Sequence, residues 1–338
     1  MSDQIKVAII GLGGIVQLVH LPNLVKMNNV KVTAVAEINK NRLTTIADKF
    51  NIEGRYTDYN EMLSEADADA VIVATPTHLH KETAIACLKA NKDVLVEKPL
   101  ARTYAEAKPI IDAAKKSKNK IMVGMNLRYR PDAMILRSII NSGEIGEPFY
   151  VKCGWIRRQS SSEKWFTRKE VSGGGVIIDL SILLLDLSLW ILNYPGVTSV
   201  STQNFSLNTK HVEDSSISML RCKNNAVINM ETSWSIPLEK DLFYFNVYGT
   251  KGSATLNPFR INKKIVDEQF MDLTPAQTES ALNLFKKSYQ NELKSFIGAV
   301  RGLNPIFSPA DEALSRMRVI DAMYQSAKNN SEVSIKQV

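Results

Sequence analysis

Short apolar runs alternate with amphipathic segments along the first 125 residues of the chain. The runs, which lie between Ile5 and Gly124, are IKVAII, VKVTAVA, ADAVIVA, KDVLVE and NKIMVG. Each is followed by a stretch with helical periodicity, and strands that alternate with helices predict a parallel sheet with crossover connections. Because the runs are apolar at consecutive positions, both faces of the sheet should be buried. The pattern therefore predicts an α/β, doubly wound, parallel-sheet domain over residues 1–125.

The pattern changes after residue 125 and predicts a second domain over residues 126–338. A helix is expected from Gly175, after a polar and aromatic loop. The runs of strand character that follow are VTSVSTQNFSL, SSISMLRC, AVINMETSW and LFYFNVYGT, which predict a mostly antiparallel sheet. Two further helices are expected near residues 288–301 and 310–327. This domain should be α+β, with a large open sheet whose uncovered face favours self-association of the chain.

Composition limits the classes of protein to which the chain can belong. Of its 338 residues, 44% are apolar and 23% charged, which is typical of a globular protein with two domains. The three cysteines are widely spaced and form no C-x-x-C motif, so neither a disulfide framework nor a metal site is expected. The N-terminal residues run directly into a strand-like segment without the features of a secretory signal. These observations favour a cytoplasmic protein.

Neither a membrane nor a nucleic acid is expected as a partner. The most apolar stretch, residues 176–192, contains Asp179 and Asp186 and is short for a membrane span, so it is interpreted as a buried helix. The net charge is +7, but the lysines and arginines are scattered along the chain. An anionic small molecule is a better explanation of this excess than a nucleic acid.

A glycine-rich turn follows the first predicted strand and opens a predicted helix. Its sequence is Gly11-Leu-Gly13-Gly14-Ile15-Val16. In this context the G-x-G-x-x-G pattern indicates pyrophosphate binding, because Gly11 permits a tight turn and Gly13 lets backbone N–H groups approach the phosphates. Val16 departs from the small residue usual at that position and suggests a wider helix crossing or altered phosphate contacts. The motif predicts a dinucleotide-binding Rossmann domain.

Two further features lie at the predicted carboxyl edge of the sheet. Glu37 ends the second strand, where an acid can bind the adenosine ribose hydroxyls and repel a 2′-phosphate, so NAD is favoured and NADP stays possible. A solvent-facing strand end is the alternative for Glu37. Thr75-Pro76 follows the strand at residues 70–74 and is expected to line the cleft, although a turn containing proline explains it equally well.

Seven motifs occur in order along the chain. They are the glycine turn, Thr75-Pro76 with His80, Glu97-Lys98-Pro99, Gly124-Met-Asn126-Leu-Arg128-Tyr129, Gly173-Gly174-Gly175 with Asp179, Tyr248-Gly-Thr-Lys-Gly252, and Val319-Ile-Asp-Ala-Met-Tyr324. Together they resemble the Gfo/Idh/MocA family of oxidoreductases, named for glucose-fructose oxidoreductase and inositol dehydrogenase. The resemblance implies a nicotinamide cofactor, a second domain with an open sheet, frequent dimers or tetramers, and substrates that are often sugars, polyols or nucleotide sugars.

The resemblance also implies roles for individual residues. Lys98 matches the position of the family's catalytic lysine, and a partly desolvated lysine can exchange a proton with a substrate hydroxyl. Asp179 is the second candidate catalytic residue, although an acid at a helix start also suits the helix dipole. The residues expected at the cofactor are Gly11, Gly13, Gly14, Ile15, Glu37, Thr75, Pro76, His80 and Glu97, of which His80 is more readily explained as orienting its loop.

Three further side chains are candidates for substrate contact. They are Arg128, Tyr129 and Trp165. An interdomain salt bridge would explain Arg128 equally well, and core packing would explain Trp165. Trp155, Arg157 and Arg158 precede Trp165 in the strand and loop expected to cover the cleft, where aromatic faces suit sugar rings and guanidinium groups suit carboxylates or phosphates.

One position departs from the family pattern. Family members usually carry a histidine four residues after the aspartate that follows the glycine run, and here that position is Leu183. Asp179 and Leu183 should share one helix face, and a leucine cannot exchange a proton. Lys98 could then transfer the proton while Asp179 holds substrate hydroxyls, Tyr129 or His211 could substitute, or the chain could bind cofactor and ligand without turnover. The leading interpretation is an NAD(P)-dependent sugar or polyol dehydrogenase, and the alternatives are a catalytically impaired sensor and a structural partner.

Overall fold

The computed structural model describes residues 4–266, 269–276 and 279–336 of the chain. The chain forms two compact units. The first consists of residues 1–125, 170–173 and 289–317, and the second of residues 126–169, 174–288 and 318–338. The first change of unit lies at the boundary expected from the sequence, but two later segments belong to the first unit again. The units are therefore interleaved along the chain rather than consecutive.

A six-stranded parallel sheet forms the centre of the first unit. Its strands are β1 (Ile5–Ile10), β2 (Val30–Ala36), β3 (Gly54–Tyr56), β4 (Ala70–Val73), β5 (Asp93–Val96) and β6 (Ile121–Val123). Their order is β3-β2-β1-β4-β5-β6, so the direction of winding reverses between β1 and β4. In such sheets ligands bind beyond the carboxyl ends of the strands at this reversal. The predicted doubly wound sheet is confirmed, with β3 as an additional short edge strand.

The helices of the first unit follow the strands in the expected alternation. They are α1 (Leu21–Leu24), α2 (Lys40–Lys49), α3 (Tyr59–Glu65), α4 (His80–Lys89) and α5 (Tyr104–Lys116). A π-helical turn, Val16–His20, leads directly into α1. Side chains fix several helix starts, since Asn39 accepts from the backbone N–H of Arg42 and Thr103 accepts from that of Glu106.

The outer edge of β6 is hydrogen-bonded by a late segment of the chain. The backbone N–H of Val123 donates to the Ser308 carbonyl over 3.1 Å, and the Ser308 hydroxyl donates to the Val123 carbonyl over 2.5 Å. Met122 forms an isolated bridge with Pro309. Residues 308 and 309 therefore satisfy an edge that would otherwise be free to pair with another strand.

The second unit contains a nine-stranded mixed sheet. Its strands are β7 (Pro148–Ile156), β8 (Val197–Phe205), β9 (Ser215–Cys222), β10 (Val227–Ser233), β11 (Leu242–Gly249), β12 (Gly252–Leu256), β13 (Phe259–Lys264), β14 (Phe270–Asp272) and β15 (Val333–Ser334). Their order is β14-β13-β12-β11-β7-β10-β9-β8-β15. Only the central β7–β10 pair is parallel among the described pairs, so the expected mostly antiparallel sheet is confirmed.

The helices after residue 126 are α6 (Pro131–Asn141), α7 (Lys169–Ser172), α8 (Ile182–Ile191), α9 (Ala281–Val300) and α10 (Ala310–Asn329). Helix α9 begins at Ala281 rather than near residue 288, because the Ser280 hydroxyl accepts the backbone N–H of Asn283 and caps an earlier start. Helix α8 is buried at every position and packs on β7 and β10.

Among the described residues, one helical stretch has the length and apolarity of a membrane span. It covers Lys169–Ile191, and its apolar window is entirely buried inside the protein. Burial of this extent is typical of a core helix, which agrees with the interpretation made from the sequence.

The sheet of the second unit alternates between two faces, as strand geometry requires. Val151 and Cys153 are buried on the face covered by α8. The opposite face is rich in tyrosine: Tyr150 stacks on Tyr248 with ring centroids 5.4 Å apart, and the Tyr244 hydroxyl donates to Glu231 over 2.6 Å. Self-association through this face stays a prediction.

Candidate active site

The glycine turn at the end of β1 has the conformation that its sequence requires. Gly11 has a φ of +88°, and a Cβ there would stand 2.7 Å from the Ala74 carbonyl oxygen, so no other residue fits. A Cβ on Gly13 or Gly14 would meet nothing within 4 Å, which marks the open side of the turn. Val16 is completely buried, so its branched side chain packs into the core of the unit.

This open side suits a dinucleotide pyrophosphate. The helical stretch begins at Gly14, and Val16 and Gln17 donate to the Gly13 carbonyl oxygen, so the N–H groups ahead of them form the helix N-terminus, where a phosphate is favoured. The buried hydroxyl of Thr75, next to the carbonyl that Gly11 approaches, has no hydrogen-bond partner among the described residues. Half-buried Ile15 and Pro76 lie in the same two loops. The residues present therefore fit a nucleotide phosphate, which would be held by these amides and this hydroxyl.

Glu37 joins the end of β2 to the glycine turn. Its Oε2 accepts the backbone N–H of Leu12 over 3.0 Å, and its Oε1 accepts that of Asn39 over 2.9 Å. Arg42 lies 3.6 Å from the same carboxylate. Ile38, which the sequence analysis overlooked, is 84% exposed beside it. An apolar side chain exposed at this edge offers a surface for an adenine ring.

Lys98 lies just beyond the carboxyl end of β5 and is half-buried. Its neighbour Glu97 is buried, with Oε1 2.6 Å from the Nε2 of His20 and Oε2 accepting the backbone N–H of Lys98 over 3.2 Å. Burial acts to raise the pKa of Glu97, but the hydrogen bond from His20 and the charges of His20 and Lys98 hold it below its ordinary value. Glu97 is therefore an ionised carboxylate inside the first unit.

His80 is buried and holds two loops together. Its Nδ1 lies 2.7 Å from the Pro99 carbonyl oxygen and its Nε2 lies 2.9 Å from the Thr75 carbonyl oxygen. Burial lowers its pKa below the ordinary histidine value, although both carbonyl contacts oppose this shift. With both ring nitrogens facing backbone carbonyls and a side chain only 1% exposed, His80 holds these loops in place, and its contact with the cofactor stays a prediction.

In the second unit, Asp179 lies in a π-helical turn, Ile177–Ser181, that leads into α8. Its Oδ2 accepts hydrogen bonds from the Ser160 hydroxyl over 2.6 Å and from the Trp234 indole N–H over 3.1 Å. Leu183 follows in the first turn of α8 and is buried. The sequence offered no signal for Ser160 or Trp234, because both lie far from Asp179 along the chain.

Trp234, which donates to this carboxylate, belongs to a group of three aromatic rings. Trp165 meets Phe166 edge to face at 5.3 Å, and Phe166 lies 5.6 Å from Trp234. Trp165, a candidate for substrate contact, thus belongs to the same aromatic group as Trp234, which donates to Asp179. Trp155 is buried and packs edge to face against Phe243, so core packing explains this tryptophan.

The glycine run before Asp179 is explained by close packing. A Cβ on Gly174 would stand 1.8 Å from the Tyr324 hydroxyl, and one on Gly175 would stand 1.8 Å from the Glu213 carbonyl oxygen. The Glu213 carboxylate accepts the backbone N–H groups of Gly175 and Ile177, over 2.9 and 3.0 Å, and the Tyr324 hydroxyl over 2.9 Å. Burial raises the pKa of Glu213 although these bonds oppose the shift. The run therefore positions the helix start that carries Asp179.

Arg128 is placed differently from the substrate contact that the sequence suggested. It is fully buried within the second unit, where its Nε and Nη2 donate to the two carboxylate oxygens of Asp186 over 2.6 and 2.5 Å. The Tyr194 hydroxyl donates to the same carboxylate over 3.1 Å. This is a structural ion pair within one unit, because both carboxylate oxygens are occupied and no guanidinium surface is exposed.

The two side chains considered as substitutes for the missing histidine differ in exposure. Tyr129 is buried and His211 is exposed in the loop before β9. Within the described part of the chain no group of His, Cys, Asp and Glu side chains could hold a metal ion. Burial raises the pKa of the thiols of Cys87 and Cys153 to about 12, so neither is a thiolate nucleophile at neutral pH.

Comparison with known proteins agrees with this geometry. The oxidoreductase family with an NAD-binding Rossmann fold matches residues 5–125, and its C-terminal alpha/beta domain matches residues 137–335. The chain is 28% identical to D-glucoside 3-dehydrogenase of Escherichia coli (strain K12), covering 99% of this chain and 98% of that protein. It is 30% identical to scyllo-inositol 2-dehydrogenase (NAD(+)) of Bacillus subtilis (strain 168), covering 99% and 97%.

The fold agrees with that of a levoglucosan dehydrogenase solved in complex with NADH and levoglucosan. The TM-score is 0.89 at 22% identity, covering 99% of this chain and 100% of that one. The matched family descriptions, the glycine turn with Glu37, and the Glu97-Lys98-Pro99 segment at the carboxyl edge of the sheet lead to one conclusion: this chain belongs to the Gfo/Idh/MocA family of oxidoreductases, whose first domain is an NAD-binding Rossmann fold.

Proposed function

We propose that this chain transfers a hydride between NAD and a secondary alcohol carbon of a sugar, polyol or sugar derivative. The observation that carries the proposal is the half-buried Lys98 beyond β5, whose backbone is fixed by the ionised Glu97. The names of its relatives, a D-glucoside dehydrogenase and an inositol dehydrogenase, support this substrate class. NAD supplies the hydride acceptor when bound.

In the proposed reaction the chain moves a proton and orients the alcohol. Lys98 takes the hydroxyl proton as the carbon-bound hydrogen leaves with its electron pair, which gives a carbonyl product, and returns that proton in the reverse direction. Asp179 accepts hydrogen bonds from substrate hydroxyls. The Asp179 carboxylate is oriented by Ser160 and Trp234 and is only 1% exposed, so a substrate hydroxyl would take the place of the Ser160 hydroxyl to reach it.

Aromatic surfaces near Asp179 support a sugar as the substrate. The faces of Trp165, Phe166 and Trp234 are half-buried and form one connected group. Aromatic faces pack against the C–H faces of sugar rings, while Asp179 supplies a hydroxyl acceptor beside them. A ring with several hydroxyl groups would use both features.

The second candidate function is a sensor that binds cofactor and ligand without turnover. It is favoured by Leu183, which is buried one helical turn from Asp179, at the position where the family resemblance implies a proton-exchanging histidine. Under this alternative the geometry of the NAD site is kept and the chemistry is lost.

One experiment separates the two candidates. The purified chain is titrated with NADH and NADPH by calorimetry, and sugars, polyols and sugar acids are then screened for NADH formation by absorbance. Micromolar NADH binding with turnover of any of them supports the dehydrogenase. Binding of NADH without turnover on a broad panel supports the sensor, and absence of nicotinamide binding contradicts both.

Replacing Leu183 by histidine provides a more specific comparison. If the active site still admits polyols, Leu183→His should raise kcat by about 10²-fold, the lower range for a general acid–base group. Leu183→Gln is the matched control, because it adds a polar side chain that cannot exchange a proton. Equal rates for the histidine and glutamine variants would indicate that this position takes no part in proton transfer.

Glu37 should decide the choice between NAD and NADP. In Glu37→Gln the repulsion of a 2′-phosphate is removed and Arg42, now 3.6 Å from the carboxylate, is released to bind that phosphate. We expect the ratio of NADPH to NADH affinity to rise by about tenfold or more, since like charges in contact cost several kcal/mol. Calorimetry measures both affinities. The double variant Glu37→Gln/Arg42→Gln should lose most of the gain, and an unchanged ratio in the single variant would exclude Glu37 from cofactor selection.

A further inference from the structure

His20 joins the glycine turn to the segment that carries Lys98. It is the last residue of the π-helical turn that follows the glycine turn, and its side chain is completely buried. Its Nε2 donates to Glu97 Oε1 over 2.6 Å, across 77 positions of sequence. The reaction proposed above uses no group of this imidazole, and no sequence motif singled it out.

The Glu97 carboxylate is confined on its other side. Its Oε2 accepts the backbone N–H of Lys98, and the backbone N–H of Glu97 donates to the Val73 carbonyl over 2.9 Å. A Cβ on Gly124 would stand 3.4 Å from Oε2, so the carboxylate lies close against the chain beyond β6. One carboxylate oxygen therefore binds the His20 imidazole and the other binds the Lys98 peptide, which connects the π-helical turn to the segment that carries Lys98. Both hydrogen bonds lie within the first unit.

We propose that His20 is a positioning residue that acts through Glu97. It couples two events: binding of the dinucleotide pyrophosphate at the glycine turn, and placement of the Lys98 amine. The proposal rests on the proposed function, in which Lys98 moves the substrate proton. Energetic coupling between sites requires contacts that both sites can bias. Here the helical turn beside the phosphates carries the donor, and the acceptor fixes the Lys98 peptide.

The charge of Glu97 sets the pH dependence of this coupling. The titratable side chains that face it are His20 from the π-helical turn, Lys98 from its own segment and His80 from α4. The adjoining strands β4 and β6, with sequences AVIV and IMV, contribute none. Without His20, burial would raise the pKa of Glu97, and a protonated carboxyl would no longer hold the Lys98 N–H as a carboxylate does.

Two substitutions of His20 test the proposal in the full chain. His20→Leu keeps an apolar volume and removes the donor, whereas His20→Gln keeps an N–H donor. We expect His20→Leu to lower kcat by about tenfold, because misplacement of a reacting group by about 1 Å can cost up to 10²-fold. The loss should be largest at low pH and shrink as pH rises and Glu97 ionises. His20→Gln should recover most of the rate, and NADH affinity should change little in either variant.

A double-variant cycle with Glu97→Gln shows whether the two residues act together. Glu97→Gln removes the ionisable acceptor, so adding His20→Leu to it should cost little more than Glu97→Gln alone. Strictly additive effects on kcat, or a His20→Leu variant that loses NADH affinity and kcat equally at every pH, would reduce His20 to a structural role and overturn the proposal.

A second measurement needs no turnover and so separates this proposal from the function on which it rests. ADP-ribose carries the pyrophosphate but no nicotinamide, so it can fill the glycine turn without placing a nicotinamide ring beside Lys98. Acetylation of Lys98 by acetic anhydride is followed by mass spectrometry with and without saturating ADP-ribose. In the wild-type chain we expect ADP-ribose to change the rate of Lys98 acetylation by about fivefold, the lower range of coupling between sites. In His20→Leu we expect ADP-ribose to leave that rate unchanged.

Equal acetylation rates with and without ADP-ribose in the wild-type chain would overturn the coupling even if the enzyme is active. Conversely, a chain that shows the ADP-ribose effect but oxidises no alcohol would contradict the proposed function and leave the coupling established. His20→Gln serves as the control, and it should retain the ADP-ribose effect because its amide can still donate to Glu97.

Discussion

Replacing Lys98 by alanine should lower kcat by about 10²-fold or more, the usual contribution of a general acid–base residue. The affinity for NADH should stay within about threefold, because an interaction made only during the reaction affects kcat without affecting cofactor binding. Calorimetry with NADH and steady-state rates on the best alcohol substrate measure the two quantities. The effect should appear in both directions of the reaction, since the same amine receives and returns the proton.

Two controls distinguish proton transfer from simple loss of charge. Lys98→Arg keeps the positive charge but cannot exchange a proton at neutral pH, because the guanidinium pKa exceeds about 12, so it should be nearly as slow as alanine. Lys89→Ala removes an exposed lysine of the same unit and should leave the rate within about twofold, as for most surface substitutions. An unimpaired Lys98→Ala variant would remove Lys98 from the mechanism.

Replacing Arg128 by methionine should destabilise the second unit by about 3–5 kcal/mol, the cost of leaving one partner of a buried ion pair uncompensated. The carboxylate left behind is Asp186, which is fully buried in the apolar helix α8. Denaturant unfolding followed by circular dichroism measures the change as a shift in the transition midpoint. The double variant Arg128→Met/Asp186→Leu should recover most of the loss.

The same variant tests the substrate role once considered for Arg128. A residue that contacted substrate would raise KM when replaced and would change the unfolding midpoint little. Because Arg128 is 0% exposed and both oxygens of Asp186 are engaged, we expect the opposite result. A raised KM with unchanged stability would contradict the ion-pair assignment.

The periodicity of apolar residues was sufficient to predict the central strands of the parallel sheet and the antiparallel character of the second sheet. β1 and β4 have consecutive apolar positions that no surface segment would carry, and both are buried as expected. The short strand β3, with sequence GRY, and β14, with sequence FMD, have no apolar run because they lie at sheet edges. Their existence depends on pairing with a neighbour, which a local pattern does not contain.

Some features of the candidate site could likewise be predicted from the sequence, and others could not. The glycine turn, Glu37 and Lys98 could be predicted, because each stands next to a recognisable strand end. The contacts of His20 with Glu97 and of Trp234 with Asp179 could not, since each joins residues 77 and 55 positions apart. Such pairs exist only after the chain has folded, and one sequence gives no register for them.

The edge of β6 determines how the molecule can be divided for study. A fragment that ends at residue 125, where the NAD-binding family match ends, would lack Ser308 and Pro309. The backbone groups of Val123 that those residues satisfy would then be free, and an unpaired apolar strand edge is a template for aggregation. A soluble nucleotide-binding fragment therefore needs residues 289–317 reattached, for example through a circularly permuted or co-expressed segment.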